Sequence, residues 1–89
     1  MLVTDTIHLK ENLPKILAEL EQMGAELHAI HAMSDTTLVL CYWDGHHQPW
    51  VTWQWAPGPG LVSGHYHTLY VTALSNLAAR IEFYSDLGR

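Results

Sequence analysis

Between Gly45 and Ala79 the chain has no Asp, Glu, Lys or Arg, a run of 35 residues without a fixed charge. Positive charge is scarce everywhere. Lys10, Lys15, Arg80 and Arg89 are the whole supply, against nine acids, for a net charge of −5. Nucleic-acid affinity comes chiefly from Lys and Arg neutralising phosphates, so a nucleic-acid partner is not expected. The single Cys41 excludes an internal disulfide and any thiolate metal cluster. No apolar run approaches the roughly 20 residues of a membrane helix, and no basic-then-apolar leader pattern opens the chain. The expectation is no membrane partner and, by default, a cytoplasmic protein.

Catalytic signatures are missing too. There is no Gly-x-Ser-x-Gly elbow, and the acids are not spaced as a glycosidase pair. Gly58-Pro59-Gly60 lacks the Lys-Ser/Thr that follows a phosphate-binding loop, and its proline removes an N–H that such a loop would use. Cys41 lies among Leu40, Tyr42 and Trp43 and reads as a core thiol. The leaning is towards a non-enzyme with no cofactor.

What the chain does have is aromatic bulk: four Trp, four Tyr and one Phe among 89 residues. An 89-residue chain makes one domain, here residues 1–89, and buries about 60–65% of its unfolded surface. Large rings are then needed to build a core, each removing about 150–250 Å² from water.

Periodicity divides the chain into elements. Residues 1–9 read as a lead-in strand or arm. Leu13, Ile16, Leu17, Leu20 and Met23 recur at helical spacing. Asn12 stands ahead as a cap, Pro14 falls in the first turn and Gly24 follows, so a helix is predicted over 12–23. Strand patterns follow over 26–32, 36–43, 49–55 and 61–67. Between them lie Ser34-Asp35, Asp44-Gly45 and the stiff segment 56–60 as turns. Gly64 inside the last strand suggests a bulge or a close backbone approach. Tyr70, Leu74, Leu77, Ile81 and Tyr84 form one helical stripe, with Thr68 as its cap and Gly88 as its end. The expected fold is α+β: an antiparallel sheet of about four strands, with room for a fifth N-terminal strand, flanked by an N-terminal and a C-terminal helix in the order α-β-β-β-β-α.

Side chains alternate along a strand, so each strand reports on two faces. Leu38, Leu40 and Tyr42 share one face, and Val39, Cys41 and Trp43 the other. Val51, Trp53 and Trp55 share one face, and Trp50, Thr52 and Gln54 the other. A sheet with one wet face should alternate apolar and polar residues, and these two strands do not. If both helices lie on one face, the other shows Trp and Leu to water, which monomers rarely tolerate, and that face is then an interface; the alternative is that one helix covers each face, or that the N-terminal arm closes the gap. Trp53 and Trp55, with Tyr66, Tyr70 and Leu74, are assigned to the core. Trp50, Thr52, His65, His67 and Trp43 are the interface or ligand-binding candidates.

Seven histidines complete the inventory. His65 and His67, two apart on a strand, share a face and are the weak metal candidates; His28, His31 or a carboxylate would have to supply a third ligand. The plainer reading is a pair of strand-end histidines and no metal. His46 and His47 fall at a hairpin tip, where side chains are usually solvated. The function expected is a small protein-interaction module that self-associates as a dimer, or binds another protein, through a Trp- and His-bearing sheet face. The alternative is a small-molecule or metal binder using the same aromatic and histidine face.

Overall fold

The computed structural model describes residues 6–33 and 36–87. The elements run α1 (Thr6–Met23), β1 (Ala25–Ala32), β2 (Thr37–Trp43), β3 (Trp50–Ala56), β4 (Gly60–His67) and α2 (Tyr70–Leu87). The strands form one antiparallel sheet in the order β1-β2-β3-β4. This is the α-β-β-β-β-α architecture expected. Residues 1–5, Ser34-Asp35 and Gly88 lie outside the described residues.

The N-terminus differs from expectation. Residues 6–9 are the first turns of α1, where a lead-in strand was predicted. Asn12 is consequently inside the helix and buried, where a cap was predicted. Pro14 is also interior, so the Lys10 carbonyl loses its usual i+4 donor. Pro14 is exposed, which leaves that carbonyl near water. Ile16 and Leu20 are buried as predicted, but Leu17 is 45% exposed. The stripe therefore runs Asn12, Ile16, Leu20 at i, i+4, i+8. Gly24 ends α1 with φ 78°, a left-handed conformation that glycine adopts without a Cβ clash. The indole Nε1–H of Trp43 donates to the Met23 carbonyl at 3.1 Å and satisfies one of the open helix-end acceptors.

Two hydrophobic clusters show where the helices lie. Ile16 and Leu20 of α1 pack with Val39, Cys41, Val51, Trp53 and Trp55. Ala73 and Leu77 of α2 pack with Leu38 and Leu40. Leu38 and Val39, and Leu40 and Cys41, are chain neighbours and project to opposite faces. One helix therefore covers each face. This explains why β2 fails to alternate: from Thr37 to Cys41 it is buried on both sides. The two-helices-on-one-face arrangement, which would have left Trp and Leu open to water, is not what this chain adopts.

Both sheet edges are blunted. The β1–β2 register shifts between Leu27 and Ala29, and the β3–β4 register between Thr52 and Gln54. Such irregularities hinder pairing with another strand. In β4 the shift places Ser63 and Gly64 against one residue of β3, with Ser63 at φ 55°. It also reverses side-chain parity. Leu61 pairs with Trp55 and joins the α1 face, while Val62 pairs with Gln54 and joins the α2 face, opposite to strict alternation through the strand. Gly64 sits where a Cβ would lie 2.8 Å from Trp53 Nε1, which accounts for the glycine.

Candidate functional site

Four of the five predicted site residues come together on the α2 face as two cross-strand pairs. Trp50 stands opposite His67, and Thr52 opposite His65. Trp43 is on the other face, in an aromatic group where it stacks on His46 and lies tilted to Trp53 and Tyr66. Its place in that group and its bond to the end of α1 give it a structural role. His46 is half-buried between neighbouring rings, 5.3 Å from that of Trp43 and 5.0 Å from that of Tyr66, where a solvated tip was expected. His47 is exposed.

Helix α2 reaches Trp50 through Tyr70, and Thr52 and His65 through Asn76. Thr52 is fully buried, so it cannot be part of an open binding surface as predicted. Its hydroxyl donates to Asn76 Oδ1 at 2.5 Å and accepts from Arg80 Nη1 at 3.0 Å, and Nη1 also donates to the Thr52 carbonyl at 3.0 Å. His65 Nδ1 lies 3.3 Å from the same Asn76 oxygen, a hydrogen bond when Nδ1 carries the proton. Tyr84 donates to Gln54 Oε1 at 2.9 Å. These contacts form a polar seam between α2 and strands β3 and β4. Arg80 is only 6% exposed, and among the described residues no carboxylate lies within ion-pair distance of it.

Sequence periodicity missed this seam. The stripe drawn through Tyr70, Leu74, Leu77, Ile81 and Tyr84 is rotated from the buried one, which is centred on Ala73, Leu77 and Arg80. Small Ala73 lets the helix approach the sheet, and Arg80 reaches β3 with its long stem. The available clue was the position of Arg80, three residues after Leu77 and four before Tyr84, on a stripe where a solvated cation does not belong. Tyr70 and Leu74, assigned to the core, are 43% and 41% exposed, and Tyr66 is 38% exposed.

Trp50 is half-buried and makes edge-on ring contacts, each at 4.9 Å, with His28, Tyr42 and Tyr70. Through Tyr70 it continues into an apolar band on α2. Leu69 at 60% and Val71 at 63% exposure lie beside Tyr70 and Leu74, with no charge before Arg80.

Among the described residues no three His, Cys, Asp or Glu side chains are placed to share a metal ion, so His65 and His67 gain no third ligand. Cys41 is fully buried, and burial pushes its thiol up to about 12, which leaves no thiolate for nucleophilic chemistry near neutrality. No described helix is long and apolar enough to cross a membrane. Comparison with family models, curated proteins and solved structures gives no match.

Proposed function

We propose that this chain is a protein-interaction module that pairs with a second copy of itself through α2. One observation carries the reading: a charge-free apolar band is exposed at the start of α2, beside the residues it packs on the sheet. Leu69, Tyr70, Val71 and Leu74 are exposed within the charge-free run. A contiguous exposed apolar patch of this kind marks an interaction site.

A second copy fits this band for electrostatic reasons. The chain carries −5 overall, so two copies repel at most surfaces. Among the described residues the acids are Glu11, Glu19 and Glu21 on α1, Glu26 on β1, Asp44 in the turn after β2, and Glu82 and Asp86 on α2 beyond the band. The first turns of α2 are where two copies can meet without opposing like charges. A stable dimer needs about 800 Å² from each partner, about a seventh of the 5329 Å² surface here. Leu69, just ahead of α2, and Tyr70, Val71 and Leu74 on it supply the centre, and the adjoining rings of Trp50 and Tyr42 extend it. Trp50 thereby keeps the interface role expected of it, at the rim of a helix-centred surface and not on an open sheet face.

Val71→Glu tests the proposal. Val71 is the most exposed of the four, and glutamate is the better helix former, so the monomer should keep its fold within about 0.5 kcal/mol. Two opposed glutamates in an apolar contact should abolish pairing. Light scattering should give a dimer for the wild type and a monomer for the variant, with matching circular dichroism. An unchanged mass in a folded variant would refute the α2 surface.

A further inference from the structure

We infer that the cleft between α2 and β4 binds the carboxylate of a small apolar acid, with Arg80 as the anion anchor. The cleft is an open groove of about 450 Å³ lined by Ser63, His65, Ala79, Arg80, Phe83 and Tyr84. That volume suits a compact organic molecule.

The charge of Arg80 is the first reason. A guanidinium buried to this depth is costly unless a counter-charge meets it, and the groups that Nη1 reaches, the Thr52 carbonyl and hydroxyl, are neutral. Geometry is the second. Nη1 spends both its hydrogens on Thr52, which fixes the guanidinium and leaves its Nε–Nη2 edge to other partners. That edge carries two parallel N–H groups and matches the two oxygens of a carboxylate.

The walls identify the rest of the ligand. Ala79, Phe83 and the ring of Tyr84 give one apolar side, and Phe83 is 59% exposed at the mouth, an aromatic surface for a flat apolar body. Ser63 and His65 give the opposite, polar side. Ser63 owes its place to the β4 bulge, held at φ 55° in a conformation that costs a non-glycine residue energy. A phosphate dianion would call for more than one cation, and among the described residues Arg80 is the only Lys or Arg lining the cleft. A monoanionic carboxylate needs one fork. The cleft lies on the β4 flank of α2, away from the Val71 band, so it is independent of self-association.

Amide chemical shifts of the full chain, titrated separately with benzoate, benzamide and inorganic phosphate, test the assignment. Benzoate should move the amides of Ser63, His65, Ala79, Phe83 and Tyr84 saturably, with Kd of about 1 mM, as expected for a fragment-sized ligand. Benzamide, with the same ring and no charge, should bind at least about tenfold more weakly, and phosphate more weakly than benzoate. Ala79→Leu, an exposed position, fills the cleft without touching the Arg80–Thr52 bonds and should weaken benzoate at least about tenfold. If that variant does not fold, the benzoate–benzamide comparison decides alone. Non-saturable benzoate shifts, equal affinity for benzamide, tighter binding of phosphate, or unchanged affinity in folded Ala79→Leu would each overturn the assignment.

Discussion

Arg80 and Thr52 are where the α2 packing can be measured most sharply. Thr52→Val preserves volume and removes a hydroxyl engaged by both Asn76 and Arg80. At about 1 kcal/mol per buried hydrogen bond, it should cost about 1–2 kcal/mol. Arg80→Met keeps the apolar stem and removes the cation. It strips the Thr52 carbonyl and hydroxyl of a charged donor at 3.0 Å each. Bonds to a charged partner contribute about 1.5–3 kcal/mol apiece, and relief of a buried cation offsets part of the loss. The expected net is about 2–3 kcal/mol of destabilisation. Because the Nη1–Oγ1 bond is lost in either single variant, the double variant should be less destabilised than the sum, by about 1–1.5 kcal/mol. Urea unfolding followed by tryptophan fluorescence, at one fixed protein concentration, measures all four corners of the cycle. Additivity within about 0.5 kcal/mol would refute the direct bond. An Arg80→Met protein more stable than wild type would show that guanidinium desolvation outweighs its hydrogen bonds.

Two further predictions concern the sheet. Gly64→Ala should cost about 1–3 kcal/mol in thermal or urea unfolding, because the added Cβ meets Trp53 Nε1 at 2.8 Å and that indole is buried and cannot yield; a neutral effect would mean the bulge adapts freely. Cys41 should resist Ellman's reagent in the native protein and react on unfolding. Burial raises its folded-state value from 9.0 to about 12, so the stabilising effect is full below about pH 9 and falls by about 1.4 kcal/mol per pH unit as pH rises towards 12. Rapid native-state labelling at neutral pH, or stability that does not decline across that alkaline window, would contradict the assignment.

The fold was largely legible because its strongest signals are local. The β-branched and aromatic run 36–43, the apolar steps ending at Gly24 and the Pro-Gly segment before the last strand each mark an element without tertiary help. That Trp50, Thr52, His65 and His67 lie on the face opposite Trp53 and Trp55 followed from strand parity, while their cross-strand pairing is set by the β3–β4 register. What sequence did not reveal depended on rotation and coverage. The double-sided apolarity of β2 fits two helices on opposite faces as well as one open face, and only tertiary packing chooses. The rotation of α2 was misread because Ala73 and Arg80 form its contact stripe, and neither is a large apolar residue. Arg80 became visible as a candidate only once its depth and its neutral partners were known. The bulge at Ser63 and Gly64 reversed parity in β4 and moved Leu61 to the α1 face, a change that strict alternation cannot register.

The exposed apolar band at the start of α2 is the basis of the proposed pairing, and the mass of the wild-type chain in solution decides whether copies pair. Sedimentation equilibrium from about 1 to about 100 μM spans the range in which a weak to moderate homodimer forms. The mass should rise with concentration from the 10.1 kDa of one chain towards twice that value. A constant 10.1 kDa across the whole range would contradict self-association through α2.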